Sequence, residues 1–305
     1  MLTKSTINFM SLRKFFFAVA VVLMIGSIAS LAIKQLNLGL DFTGGALIEL
    51  NYAEPADLES IRGMLAEAGW DNAVVQNFGS SSDVLIRLPS ENPDLGAELA
   101  RLIQAEEGGE VTVKRVEFIG PQVGEELRDK GGLGMLLAMG GILLYVSLRF
   151  QMKFAVASIV ALVHDVIFTL GVFSLLGLSF DLTVLAALLA VIGYSLNDTI
   201  VVFDRVRENL RLMRKTELEE VINISTTQTL ARTLATSAST LLVLFALYFF
   251  GGENIQGFAL ALIIGVGIGT YSSIYVSNGL LMTMNLTRED LIPPQLEEAA
   301  VDDRP

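Results

Sequence analysis

The chain has 305 residues, of which 52% are hydrophobic and 18% are charged, and its formal net charge at pH 7 is -12. Its mean hydropathy of +0.57 exceeds that of ordinary soluble chains, and the apolar excess lies in blocks. The lack of cysteine and the single histidine exclude disulfides, thiolate metal sites and a His-rich metal site. The composition therefore predicts a polytopic membrane protein with no metal ion and no cofactor.

The first apolar block, residues 15–33, contains 19 residues and no charge. As a helix it would span about 28 Å, close to the thickness of a hydrocarbon core. Lys4, Arg13 and Lys14 before the block also fit a signal peptide. Because the block is longer than the usual apolar region of about 7–15 residues, we expect an uncleaved membrane anchor.

A hydrophilic block, residues 34–131, follows the first span. Residues 34–130 hold 8 basic and 18 acidic side chains, so we expect no binding to nucleic acid. Its pattern is β-α-β-β-α-β, which predicts an α+β domain of the ferredoxin-like kind. Nothing in it resembles a catalytic constellation, and we expect no enzymatic activity. Strands are predicted at residues 46–52, 73–78, 84–88 and 111–119, and helices at residues 55–68 and 93–105.

Five more apolar blocks follow, which makes six predicted transmembrane helices within residues 1–33 and 132–284. A charged loop is predicted at residues 204–232, and its first part, residues 204–220, is expected to lie along the membrane surface. Residues 285–305 form an acidic tail, expected to be disordered from residue 293. The five blocks are residues 132–148, 154–178, 182–203, 233–250 and 256–284.

Basic residues predict the orientation of the chain. They precede span one and lie between spans two and three and between spans four and five. By the positive-inside rule both termini are cytoplasmic and residues 34–131 are external. The basic residues are Lys4, Arg13, Lys14, Arg149, Lys153, Arg205, Arg207, Arg211, Arg214 and Lys215.

Asp198 lies near the end of the fourth apolar block. An ionisable carboxyl in hydrocarbon costs about 2.5–3.5 kcal/mol on insertion scales, so it needs a partner, water or a proton. Arg232 enters span five at a similar depth, and the two side chains are predicted to pair. Thr236, one turn beyond Arg232, and Asn197, beside Asp198, would extend a polar seam. The residues alone leave two roles open: an ion relay, or a static lock between two helices.

Two other patterns lie within the spans. His164 and Asp165, near the middle of span three, could either extend a proton path or make a helix-packing hydrogen bond. Span six has small residues at every fourth position, which predicts a face that packs closely on span four or five. These residues are Gly257, Ala261, Gly265, Gly269, Ser273 and Ser277.

Several motifs resemble the SecF family of membrane subunits of the bacterial preprotein translocase. Asp41, Phe42, Thr43, Gly44 and Gly45 carry one of them, although two glycines alone would also fit an ordinary turn. The full set is Leu-Asp-Phe-Thr-Gly-Gly at 40–45, Pro-Gln-Val-Gly at 121–124, His-Asp at 164–165, Ser-Leu-Asn-Asp-Thr-Ile-Val-Val-Phe-Asp-Arg at 195–205 and Arg-Thr-Leu-Ala-Thr-Ser at 232–237.

The resemblance implies the architecture of half an RND-type transporter in the bacterial inner membrane. It implies association with SecD, the SecYEG channel, SecA, YajC and preproteins, and use of the proton-motive force, or of sodium in some organisms, in late export. The family's proton-relay aspartate and arginine fall on Asp198 and Arg232. Two alternatives remain: an RND-like proton-driven exporter of small molecules or lipids, and a structural assembly factor without ion coupling.

Overall fold

The computed structural model describes residues 6–106 and 111–291. Six of its helices are long and apolar enough to cross a membrane, which confirms the predicted number of spans. The helices are α1 (Arg13–Ile33), α2 (Leu40–Thr43), α3 (Leu58–Glu67), α4 (Leu95–Glu106), α5 (Pro121–Arg149), α6 (Met152–Leu176), α7 (Leu182–Leu212), α8 (Leu218–Phe250) and α9 (Glu253–Thr283). The strands are β1 (Asn37–Leu38), β2 (Gly45–Tyr52), β3 (Val74–Phe78), β4 (Ser80–Leu88), β5 (Val111–Ile119) and β6 (Ser179–Phe180).

The three central helices of the membrane bundle are α6, α7 and α9. Half or more of the apolar window of each is buried (50%, 56% and 56%), whereas α1, α5 and α8 have at most 17% buried. The small-residue face of α9 packs on α7, as one of the two predicted arrangements required. A Cβ atom added at Gly257 would lie 3.2 Å from Val184, and one at Gly269 would lie 3.1 Å from Ser195.

The predicted loop at residues 204–232 is wrong. Helix α7 continues to Leu212 and α8 begins at Leu218, so only residues 213–217 connect them. The charged end of α7 therefore extends the membrane helix instead of lying along the surface as a separate segment. The apolar block ends at residue 203, but the helix does not, because helical hydrogen bonds need no apolar surroundings. Arginine and glutamate, which follow the block, are also good helix formers.

Arg288 holds the short connection between α7 and α8. Its guanidinium donates to the backbone carbonyls of Leu210, Met213 and Thr216, at 3.2, 2.6 and 3.1 Å. Carbonyls at the end of a helix lack partners within the helix, so these bonds stabilise the turn. Residues 292–305 of the predicted acidic tail, and Lys4, lie outside the described residues.

Strands β2 to β5 and helices α3 and α4 form a compact unit between α2 and α5, here termed the α/β domain (residues 45–119). The sheet order is β3-β4-β2-β5, and neighbouring strands are antiparallel. Ile48 and Ile86 belong to the core cluster with Ile61 of α3 and Leu99 of α4. Because side chains alternate along a strand, the other sheet face points away from α3 and α4.

The observed elements of the α/β domain differ from the predicted ones mainly at one hairpin. The predicted strand at residues 84–88 begins four residues earlier, at Ser80, because the turn after Phe78 is tight. Gly79 adopts a φ of +77° there, a conformation that glycine reaches without steric strain.

Candidate ion-relay site

Asp198 lies on α7, which packs against α6, α8 and α9. Its side chain is buried, with 3% of the residue exposed, and its Oδ2 atom has no hydrogen-bond partner among the described residues. A carboxylate in this setting is destabilised unless it is protonated or transiently paired. Protonation of this carboxyl would remove the cost of burying its charge.

Arg232 does not form the predicted pair with Asp198. Within the described residues the two side chains make no ion pair within 4.0 Å, and Arg232 is exposed on α8. Arg232 still lies near enough for an electrostatic interaction with Asp198. The reason is helical phase: each residue turns about 100° around the axis, so Arg232 lies to one side of its buried neighbour Thr233. The structure therefore lacks the static lock.

The predicted polar seam is also displaced by one residue. Thr236 donates to the carbonyls of Arg232 and Thr233 in its own helix, and Asn197 is exposed. The buried polar face of α8 is formed instead by side chains at four-residue intervals. These are Thr229, Thr233 and Ser237. Their spacing of i, i+4 and i+8 was available in the sequence and would have found this face.

Asp165 is the centre of a buried hydrogen-bond cluster that joins three helices. The residue is fully buried on α6. Its Oδ2 accepts hydrogen bonds from Ser195 of α7 at 2.5 Å and from Ser272 of α9 at 2.7 Å. Its Oδ1 lies 2.9 Å from Nδ1 of His164. The sequence had indicated His164 and Asp165, whereas Ser195 was noted only as part of the motif at 195–205 and Ser272 was not noted.

The imidazole of His164 is held on one side only. Nδ1 faces Asp165, whereas Nε2 is buried and has no hydrogen-bond partner in the part of the chain that the structure describes. A neutral ring that donates from Nδ1 leaves Nε2 as a bare acceptor. The ring also packs beside Phe168 and Tyr271. These contacts fit the second of the two predicted roles, a helix-packing hydrogen bond.

The two intramembrane carboxyl groups are linked through α7. Ser195, which binds Asp165, lies three residues before Asp198, and residues at this spacing share a helix face. Their Cα atoms are separated by about 4.5 Å along the axis. Other buried polar residues of this region are Thr199, Thr226, Ser273, Ser277 and Asn278. Ser195 therefore contacts Asp165 directly and lies one helical turn from Asp198 on the same side of α7.

A second polar link joins α7, α8 and α9. The Tyr194 hydroxyl lies 3.4 Å from Oγ of Ser237, and Ser237 lies 2.8 Å from Oγ1 of Thr270. These contacts connect the buried polar face of α8 with α7 and α9, two of the three central helices. Over residues 6–106 and 111–291, no group of three or more His, Asp or Glu side chains could hold a metal ion.

Residues 40–45, here termed the double-glycine segment, connect the α/β domain with the start of α7. Oδ2 of Asp41 accepts a hydrogen bond from the backbone N–H of Leu182 at 2.9 Å. Phe42 stacks on Phe180, with ring centroids 5.7 Å apart. Leu182 begins the helix that carries Asp198 about 24 Å further along, so one continuous helix joins this segment to the buried carboxyl.

The two glycines are required by close approach of the backbone. Gly44 has a φ of +66°, and a Cβ atom there would lie 2.5 Å from the Cα atom of Pro121. Gly45 has a φ of +115°, and its added Cβ would overlap the carbonyl oxygen of Leu88. Gly124 of α5 in turn packs on Gly44. The segments before and after the α/β domain, at Gly44 and at the start of α5, are therefore in direct contact.

Family models match most of the chain. The family described as protein export membrane protein SecD/SecF, C-terminal, matches residues 100–287, and the SecD/SecF GG motif matches residues 29–56. The second match contains the double-glycine segment at residues 40–45.

Curated relatives and solved structures agree with these matches. The chain is 61% identical to protein translocase subunit SecF of Pseudomonas aeruginosa over 301 residues, which is 98% of each chain. It is 42% identical to the Escherichia coli O157:H7 subunit over 97% of this chain and 93% of that one. The crystal structure of SecDF, a translocon-associated membrane protein from Thermus thermophilus, superposes with a TM-score of 0.87 at 40% identity.

That superposition covers 93% of this chain and 39% of the SecDF chain. A second structure, SecDF in a super-membrane-facing form, gives a TM-score of 0.70 over the same shares. The architecture of the membrane bundle is thus that of one part of SecDF. With one family model matching residues 100–287 and close relatives matching over nearly the whole length, the chain belongs to the SecD/SecF family of protein-export membrane proteins.

Proposed function

We propose that the chain is the SecF subunit of a bacterial protein translocase and couples the proton-motive force to a late step of protein export. Its location is the inner membrane, and its partners are SecD, the SecYEG channel with SecA, YajC, and preproteins. The observation that carries this proposal is the buried Oδ2 atom of Asp198, which has no hydrogen-bond partner among the described residues of a bundle similar to that of SecDF.

Asp198 binds and releases the transported proton. Its burial disfavours a lasting charge, and the absence of a direct partner leaves the carboxyl accessible to a proton. Arg232 is exposed on α8 and changes the proton affinity of Asp198 by its position. When its side chain turns towards Asp198 it favours proton release, and when it turns away it favours proton uptake. Asp165 is a positioning residue, because it holds Ser195 and thereby fixes the face of α7 that presents Asp198.

Proton binding moves the α/β domain through α7. The carboxyl group is on the same helix whose first N–H group is held by Asp41 of the double-glycine segment. A small shift of α7 along or around its axis would therefore pull on that segment and on the strand β2 that follows it. This provides a mechanical route from an intramembrane proton to the α/β domain.

The domain organisation follows from the same proposal. Residues 1–33 are a cytoplasmic segment and span one, residues 34–131 are a periplasmic region, residues 132–284 hold spans two to six, and residues 285–305 are a cytoplasmic tail. The sheet order β3-β4-β2-β5 with two helices on one face supports a ferredoxin-like domain within the periplasmic region. The basic residues near Arg149, Arg205 and Lys215 support cytoplasmic termini.

SecD completes the site at the exposed face of α8. Arg232 is exposed on α8, and so are several large apolar side chains of the same helix. A guanidinium at membrane depth needs a charge partner or a water-filled cavity, and a second subunit can supply either. The large exposed apolar side chains of α8 are Leu234, Leu242, Val243, Phe245, Phe249 and Phe250.

The test is gradient-driven export in membrane vesicles that contain the chain with SecD and the channel. We expect Asp198→Asn to abolish the part of export that depends on the proton-motive force, and to leave the ATP-driven part unchanged. Glu208→Gln is the matched control, because Glu208 lies on the same helix but is exposed. Full gradient dependence in Asp198→Asn would show that the carboxyl does not carry the proton.

A further inference from the structure

A cavity of about 680 Å³ lies between the α/β domain and the adjoining ends of α6, α7 and α9. One wall is the sheet face that points away from α3 and α4. Glu49, Leu85 and Arg87 lie on this wall, whereas the alternate residues Ile48 and Ile86 lie in the domain core. The volume is within the range of about 300–1,000 Å³ that is typical of ligand sites.

Arg87 is a buried cation with one side of its guanidinium unsatisfied. Only 8% of the residue is exposed, and its Nη1 atom donates to the carbonyl of Leu38 at 3.1 Å. Its Nε and Nη2 atoms are buried and have no hydrogen-bond partner among the described residues. These two N–H groups form the edge that binds both oxygens of a carboxylate, and the bond to Leu38 fixes the direction of that edge.

Two nearby carboxylates are committed elsewhere. Oδ1 of Asp181 accepts from the N–H of Val184 at 2.9 Å and caps α7. Glu117 forms an ion pair with Arg115. Asp181 acts on Arg87 only through space, and burial lowers the pKa of the Arg87 guanidinium further than Asp181 raises it. Among the described residues, the buried guanidinium of Arg87 therefore has no bonded anion.

Glu49 is the remaining carboxylate on the same wall. In the register of β2 and β4, Leu47 lies opposite Arg87, which places Glu49 diagonally across from it. The described side chains of Glu49 and Arg87 form no ion pair within 4.0 Å. Leaving a buried guanidinium edge unpaired is unfavourable, so a bound group that supplies two oxygens would stabilise this region.

We propose that the cavity binds a single carboxylate group of a polypeptide on the Nε/Nη2 edge of Arg87. The proposal rests on the export function, which brings extended polypeptide to this side of the membrane. Four acidic and two basic side chains line the cavity, and this negative balance favours a monovalent carboxylate over a phosphate. Phosphate sites usually gather several cations, whereas one planar arginine fork suffices for one carboxylate.

The test is a titration of the full chain in lipid nanodiscs without an ion gradient, followed by saturation-transfer NMR of the probe. The probes are N-acetyl-tetraalanine with a free C-terminal carboxylate, the same peptide as its C-terminal amide, an amidated peptide with one central glutamate, and succinate. We expect the carboxylate-bearing peptides to bind and the neutral amide not to bind. Comparison of the three acids identifies the source of the carboxylate.

Variants then assign the binding to Arg87. Arg87→Gln should weaken binding by about tenfold or more, and Arg87→Lys by less, because an ammonium keeps the charge but not the planar fork. Arg101→Gln, which removes an exposed charge from α4, should have no effect. Asp181→Asn should strengthen binding because it removes a nearby negative charge and retains a residue suited to capping α7. The result for Asp181→Asn tests the proposal even if the Arg87 variants fail to fold.

Three results would overturn the proposal. They are equal binding of the free acid and the amide, unchanged binding in Arg87→Gln, and displacement of the peptide by glycerol phosphate or phosphatidylglycerol but not by succinate. The last result would assign the cavity to a lipid headgroup. Because the titration uses no ion gradient and measures binding alone, a failure here is distinguishable from a failure of the ion relay, which is measured by gradient-driven export.

Discussion

The hydroxyl of Ser195 donates to the buried carboxylate of Asp165 over 2.5 Å, and this bond ties α7 to α6 one helical turn from Asp198. Because this bond holds α7 in place, it also fixes the position of the Asp198 carboxyl, on the same face of α7 as Ser195. Asp165 contacts polar side chains from three helices, whereas Oδ2 of Asp198 has no hydrogen-bond partner among the described residues. In the proposed function one carboxyl supports the structure and the other carries the proton.

Ser195→Ala should impair coupling more than it impairs folding. The variant removes one of the two hydroxyl donors of Asp165, and Ser272 remains. A polar side-chain bond between membrane helices contributes about 0.6 kcal/mol on average, so the unfolding temperature should fall only slightly. Gradient-dependent export should decrease because the face of α7 is no longer fixed. Ser239→Ala, at an exposed position of α8, serves as the control, and equal export by the two variants would refute a positioning role.

His164→Asn should retain both stability and gradient-dependent export. The amide nitrogen of asparagine can take the place of Nδ1 and donate to Asp165, while the titratable Nε2 is removed. Nε2 has no hydrogen-bond partner in the described structure, so the proton path need not pass through it. Thermal unfolding and vesicle export measure the two properties. Normal stability with lost coupling would place His164 in the relay.

Arg232→Met should lose gradient-dependent export without a large loss of stability. Removing one member of a buried ion pair usually destabilises a protein by about 3–5 kcal/mol, because the other charge stays buried. Arg232 is exposed and forms no ion pair with Asp198, so we expect a much smaller change in the free energy of unfolding. Arg232→Lys should preserve part of the activity. Strong destabilisation by Arg232→Met would instead support a lock between α7 and α8.

Gly44→Ala should destabilise the junction between the α/β domain and the bundle by about 2–4 kcal/mol. The backbone there has a φ of +66°, and the new Cβ would overlap Pro121. Gly63→Ala is the matched control, since Gly63 lies in α3 with open space around its Cβ position. That control should be neutral or stabilising by up to about 1 kcal/mol. Similar unfolding temperatures for both variants would contradict the account of the double-glycine segment.

Asp83 should make the α/β domain less stable in acid. Hydrogen bonds from Lys114, Ser80 and Asn51 lower the pKa of this carboxyl, with that from Lys114 the largest. Because the folded pKa is below the ordinary value of about 3.9, the stabilisation is present above that value and is lost as pH falls through the folded pKa. Asp83→Asn should remove about 1–3 kcal/mol at neutral pH. It should also flatten the pH dependence of unfolding below pH of about 4, and an unchanged profile would contradict the assignment.

The sequence was most informative where apolar length decided the structure. All six spans were predicted, and the small residues of α9 correctly indicated close packing on one of two helices, because the pattern of hydrophobicity is a direct consequence of the bilayer. The end of α7 was placed too early because the prediction followed hydrophobicity, which ends at residue 203. Residues 204–212 are charged, and their helical hydrogen bonds do not depend on the membrane.

The site was harder to predict because it depends on helical phase. Asp198 and Asp165 were identified by their type and depth, but an angle of about 100° separates the predicted face at Arg232 from the buried face at Thr233. Ser195 and Ser272 meet Asp165 across three helices, and no local pattern in one helix specifies such a contact. Only the packing of α6, α7 and α9 brings these groups together.

Proton movement in proteoliposomes tests the central proposal most directly. Vesicles holding the chain with SecD, the channel and a translocating preprotein would enclose a pH-sensitive dye, and a membrane potential would be imposed. The account predicts proton flux in the wild type and in Glu208→Gln, and none above background in Asp198→Asn. Equal proton flux in the wild type and in Asp198→Asn would contradict it.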